Sequence, residues 1–83
     1  MADIIEDIFC RTNLMYISEL HEEKNYSRVL HAVRELEEED YTQAEWAEAY
    51  QYIAQDEPRY QQSREGLIQF LDFGILKRKL KMI

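Results

Sequence analysis

The stretch "RELEEEDYTQAEWAEAY", residues 34–50, decides how the rest of the chain is read. Four consecutive acids, Glu37 to Asp40, precede Tyr41 and then Thr42-Gln43-Ala44-Glu45. Thr-x-x-Glu is the capping box, in which the Thr42 hydroxyl accepts from the Glu45 amide and the Glu45 carboxylate accepts from the Thr42 amide. Tyr41 and Trp46 fall at the two positions where a hydrophobic staple closes over a helix start. Together these signals predict a helix over 43–55, with Trp46, Tyr50 and Ile53 as its apolar stripe. At the end of a preceding helix the four acids would oppose the macrodipole. Just ahead of a helix N-terminus their charge is favourable. The acidic run therefore reads as a turn with a structural role.

Upstream, Tyr26, Val29, Leu30, Val33 and Leu36 keep the i, i+3, i+4, i+7 spacing of a one-sided helix over 26–38, with Asn25 as its N-cap. Before it, Asp3 can cap a helix over 3–23. Ile4, Ile5, Ile8, Phe9, Met15, Tyr16 and Leu20 would fall on one broad arc of that helix, and Cys10, Leu14 and Ile17 on a second stripe nearly opposite. Cys10 reads there as a small buried hydrophobe. Downstream, Asp56-Glu57-Pro58 marks a stop and a new start. The fourth helix is expected over 58–73, burying Tyr60, Leu67, Ile68 and Leu71, with Gly66 as a weak point in its middle and Gly74 as its C′ residue. If the helix instead runs on through Gly74, Phe73, Leu76, Leu80 and Ile83 form a stripe pointing away from Leu67 and Leu71.

These readings predict an all-α protein, a compact bundle of four helices with a basic C-terminal segment. Residues 1–74 form the acidic bundle and residues 75–83 a basic amphipathic tail. Eighty-three residues suffice for one domain with a radius of gyration of about 12 Å. Seventeen acids oppose ten bases, but four of the bases, Lys77, Arg78, Lys79 and Lys81, lie in the last seven residues. Residues 1–76 thus hold six bases and all seventeen acids, a balance of −11. Such a body repels nucleic acid and anionic membrane, and four cations on the tail are few against it. A single cysteine and an acidic first turn fit a reducing cytoplasm.

Catalytic chemistry lacks its usual spacings. His21 and His31 belong to no HExxH, and Ser18 and Arg28 stand where a Glu-x-x-His pair would need its acid. No glycine-rich phosphate loop is present. A helix-turn-helix reader would have to use 43–55, which carries Glu45 and Glu48 and no base. The expectation is a non-catalytic protein-interaction module (a regulator, adaptor or subunit) that docks on a protein partner or on itself. No metal, cofactor or small-molecule substrate is expected. The expected contact residues are Cys10, Leu14, Ile17, Tyr52, Phe73, Leu76, Leu80 and Ile83. The alternative is an acidic decoy that imitates nucleic-acid phosphates on a basic enzyme through Glu35, Glu37, Glu38, Glu39, Asp40, Glu45 and Glu48. On the first reading, Leu14→Glu or Leu80→Glu abolishes association while the helical circular-dichroism signal is retained. On the second, Glu37→Lys with Glu39→Lys destroys decoy binding, whereas the same change spares a hydrophobic interface.

Overall fold

The computed structural model describes residues 3–55 and 61–81. Among these, four α-helices follow one another: α1 (Ile4–Thr12), α2 (Tyr26–Glu35), α3 (Gln43–Ala54) and α4 (Arg64–Lys81). Short 3₁₀ turns at Ile17–His21, Glu23–Asn25 and Glu38–Asp40 join the first three. The Cα radius of gyration is 12.0 Å. The all-α bundle of four helices is the architecture that the apolar spacing predicts. No described helix is long and apolar enough to cross a membrane.

The N-terminus of α3 forms as its sequence dictates. Thr42 Oγ1 accepts from the Glu45 amide at 3.1 Å, and Glu45 Oε1 accepts from the Thr42 amide at 2.9 Å. The Tyr41 and Trp46 rings meet edge to face with centroids 5.5 Å apart. Trp46 Nε1 donates to the Glu38 carbonyl at 3.1 Å, so the indole also pins the acidic turn.

Helix α1 stops well short of residue 23. Thr12 Oγ1 donates to the Phe9 carbonyl at 2.7 Å and accepts from the Leu14 amide at 3.3 Å, and Asn13 takes the left-handed conformation at φ 60°. These local bonds replace the next helical ones, and asparagine tolerates the left-handed cap better than most residues. Helical phase is lost at Asn13. Ile4, Ile5, Ile8 and Leu20 are buried as expected, but Met15 and Tyr16 are 77% and 63% exposed. Asn25 holds the N-cap position of α2 as expected, but its side chain makes no capping bond. Its side chain is buried and donates to the Glu19 carbonyl at 2.9 Å, tying the 3₁₀ turn to the start of α2.

Helix α2 ends at Glu35, three residues early, because Leu36 turns extended. Arg64, the first residue of α4, reaches back to this end. Its Nε donates to the Leu36 carbonyl at 2.8 Å and its Nη2 to the Arg34 carbonyl at 3.1 Å. A cation at a helix C-terminus both satisfies carbonyls and complements the dipole. Helix α4 begins at Arg64 rather than Pro58. Residues 56–60, including Tyr60, lie outside the described residues. Ser63 Oγ accepts from the Gly66 amide at 3.2 Å, which is N-cap geometry. Gly66 therefore sits in the first turn, not mid-helix, and a Cβ there would overlap the Gln61 carbonyl oxygen.

The core is shared by all four helices: Ile4 and Ile8, Val29 and Val33, Trp46 and Tyr50, Leu67 and Leu71 are almost wholly buried. One polar tie crosses it at the edge, where the Tyr41 hydroxyl donates to Asp7 Oδ2 and joins the acidic turn to α1. Burial first, then the bond to Asp7 and its charge, push the Tyr41 phenol from 10.0 up to about 12. The fold favours the protonated phenol, so this contribution is whole below pH 10 and is lost between about pH 10 and 12. Tyr41→Phe is expected to lower stability by about 1–2 kcal/mol at neutral pH. It should also remove the extra loss of urea midpoint that the wild type shows across that alkaline window.

Candidate functional site

Helix α4 carries the candidate site on its second half. Leu67 and Leu71 are fully buried, Gly74 and Ile75 are half-buried, and every residue from Leu76 to Leu80 is exposed. Eighteen residues make α4 about 27 Å long. Its last turns therefore run past the body, within a molecule 43 Å in its longest dimension.

Gly74 lets the helix continue in this way. A Cβ at this position would lie 2.6 Å from Cδ2 and 2.7 Å from Cε2 of Tyr26. The bare Cα admits the Tyr26 ring, which also meets Phe70 with centroids 5.7 Å apart. The burial that holds this ring, and then the charge of Glu23, raise the Tyr26 phenol above its ordinary value. Gly74 was expected to end the fourth helix as a C′ residue. It lies inside α4 instead, because a close ring-to-backbone contact uses the missing side chain. The basic residues Lys77, Arg78 and Lys79 thus fall in the last turns of a helix, where cations suit the dipole.

Past Gly74 the helical phase separates two faces. Phe73, Leu76 and Leu80, at i, i+3 and i+7, lie opposite the buried Leu67–Leu71 side and are 49%, 56% and 64% exposed. Lys77 and Lys79 flank this apolar strip. Asp72 beside it binds Arg34 across 3.5 Å, fastening the root of the strip to α2. The structure therefore brings together three of the expected contact residues. The fourth, Ile83, lies outside the described residues.

The other expected contacts do not assemble. The break at Asn13 places Cys10 on α1 and Ile17 in a 3₁₀ turn, so no helical stripe joins them. Cys10 is exposed rather than buried, Leu14 packs partly against the core, and Ile17 is exposed. Tyr52 is half-buried against the core rather than turned away from it. The same break creates an exposed Met15–Tyr16–Ile17 patch, which the helical reading of 3–23 missed. Its signal in the sequence is Thr12-Asn13, a side chain that bonds locally followed by a residue that tolerates a positive φ.

The acidic residues are only partly available. Glu35 is taken by His31 at 2.9 Å and Arg11 at 3.9 Å, and Glu45 by the capping box. Glu37, Glu38, Glu39, Asp40 and Glu48 are exposed, with Arg64 beside the first three in a shallow cleft. Among the described residues, no three His, Cys, Asp or Glu side chains cluster tightly enough to hold a metal ion. A separate open cleft lined by Arg11, Asn13, Arg28 and His31 is cationic, but Glu35 neutralises part of it.

No protein-family model, curated protein or solved structure matches the chain. Its class is defined by the fold alone: an acidic all-α bundle with a projecting basic amphipathic arm.

Gly74→Ala is expected to lower stability by about 1–2 kcal/mol, since overpacking against Tyr26 outweighs alanine's helix propensity. In a Tyr26→Val background, which removes the δ carbons, the same change should become stabilising. Urea denaturation of the four proteins gives the coupling.

Proposed function

We propose that the protein is a small non-catalytic docking module whose contact element is the Phe73–Leu76–Leu80 face of α4. The observation that carries this reading is the exposure of all three side chains on one helix face that points away from the protein's own core. An amphipathic helix presenting anchors at i, i+3 and i+7 is the form that helix-in-groove recognition takes. The flanking Lys77 and Lys79 favour a partner whose apolar groove has an acidic rim. The decoy reading has less support, because Glu35 and Glu45 are engaged within the chain.

The test replaces Leu76 with a benzophenone photo-cross-linking residue in the producing cell, and Glu48, exposed on α3, in a control. Discrete higher-mass adducts from position 76 and none from position 48 are expected. Equal labelling at both positions, or none at 76, would overturn the reading.

A further inference from the structure

We infer that the cleft between the end of α1 and the first half of α2 binds the phosphate group of a small phosphate monoester, independently of the docking face on α4. Among the described residues it is lined by Arg11, Thr12, Asn13, Ser27, Arg28 and His31, three of them basic and none acidic. Arg28 and His31 stand at i and i+3 on α2 and so share a face, which Arg11 meets from α1.

Most cations of the body are already engaged. Arg34 pairs with Asp72, Lys24 with Glu22 and Arg11 with Glu35, while Arg64 donates to two backbone carbonyls. Among the described residues ahead of the tail, Arg28 is the one Lys or Arg with no such partner, in a body whose balance is −11. The exposed Asn13 amide and Ser27 hydroxyl add neutral donors to the same cleft. At its far end the cleft already grips an anion. Glu35 Oε1 lies 2.9 Å from His31 Nε2, and Oε2 lies 3.9 Å from Arg11 Nη1. One internal carboxylate is thus bracketed by two of the three basic side chains. Glu35 is about two turns beyond Arg28, which it leaves unpaired.

The donor set selects the ligand class. A phosphate monoester is close to doubly charged at neutral pH. Its three peripheral oxygens suit the fixed N–H forks of two guanidinium groups. One of its charges balances Arg28, and the other draws Arg11 and His31 away from Glu35. A carboxylate ligand, with a single charge, would compete with Glu35 on no better than equal terms. The acidic body repels polyanions such as nucleic acid, whose charge extends over the whole protein surface. A small ligand escapes most of that repulsion, because exposed charges beyond about 10 Å are screened at ordinary salt. The internal competitor keeps the affinity low, with a dissociation constant in the millimolar range.

The experiment follows the backbone amide NMR signals of the purified full chain while inorganic phosphate, and separately phenyl phosphate, replaces chloride at constant ionic strength and neutral pH. Saturable shifts at Asn13, Ser27, Arg28 and His31 are expected with both probes. Arg28→Gln, at an exposed position, should weaken binding roughly tenfold or more while the helical circular-dichroism signal is kept. Glu35→Gln should tighten binding about threefold by freeing Arg11 and His31. Glu48→Gln, which removes the same charge from an exposed site on α3, should leave the affinity unchanged. Equal gains from Glu35→Gln and Glu48→Gln would mean that net charge alone is being read, and would overturn the inference. Shifts confined to Lys77–Lys79, no shifts when chloride is replaced, or full affinity in Arg28→Gln would overturn it too. Co-sedimentation with phosphatidylglycerol vesicles that Arg28→Gln abolishes would assign the cleft to a lipid headgroup and overturn the small-molecule reading.

Discussion

The seam between α2 and α4 is the constraint from which the rest of the molecule follows. It is closed at both ends by contacts of different kinds. At one end the Arg64 guanidinium satisfies the carbonyls of Arg34 and Leu36, replacing hydrogen bonds that α2 loses where it stops. At the other, Gly74 gives up a side chain so that the Tyr26 ring can lie on the α4 backbone. Between them Val33, Leu67 and Leu71 are wholly buried. A helix held at both ends keeps its direction, so the turns beyond Gly74 project as a continuation of an anchored rod.

The third helix and the acidic turn are set against this seam by short-range devices. The capping box starts α3, the Tyr41–Trp46 contact closes over it, and the indole N–H holds the Glu38 carbonyl. Tyr41 then reaches Asp7 and draws in α1. One residue thus serves as a hydrophobic staple and a polar tie. The four neighbouring acids stay in water, ahead of a helix start that tolerates them.

Apolar surface is distributed in a way that bears on function. For so short a chain, leaving Phe73, Leu76 and Leu80 in solvent withholds burial that could have enlarged a modest core. The strip lies on the face of α4 opposite the one that enters the core, so it cannot fold back without breaking the helix at Gly74, where Tyr26 is seated. That opposition is what the proposed docking reading rests on.

The sequence by itself determined what depends on neighbours a few residues apart. The α3 start at Thr42, the apolar stripe of α2, the Asp3 cap and the four-helix class all follow from capping chemistry and a 3.6-residue period, which act within one or two turns. Periodicity also showed that Phe73, Leu76, Leu80 and Ile83 would share a face if the helix passed Gly74. Whether it passed was a tertiary matter. Glycine ends helices when its backbone freedom is used and continues them when its missing side chain is used, and only the position of the Tyr26 ring distinguishes the two. The same holds for Arg64, whose role depends on a carbonyl 28 residues away. The break at Asn13 lies between these cases. Its local signal was present in Thr12-Asn13, but an uninterrupted apolar pattern through Leu20 concealed it, because a broken helix and a continuous one can bury the same residues, Ile4, Ile8 and Leu20, by different routes.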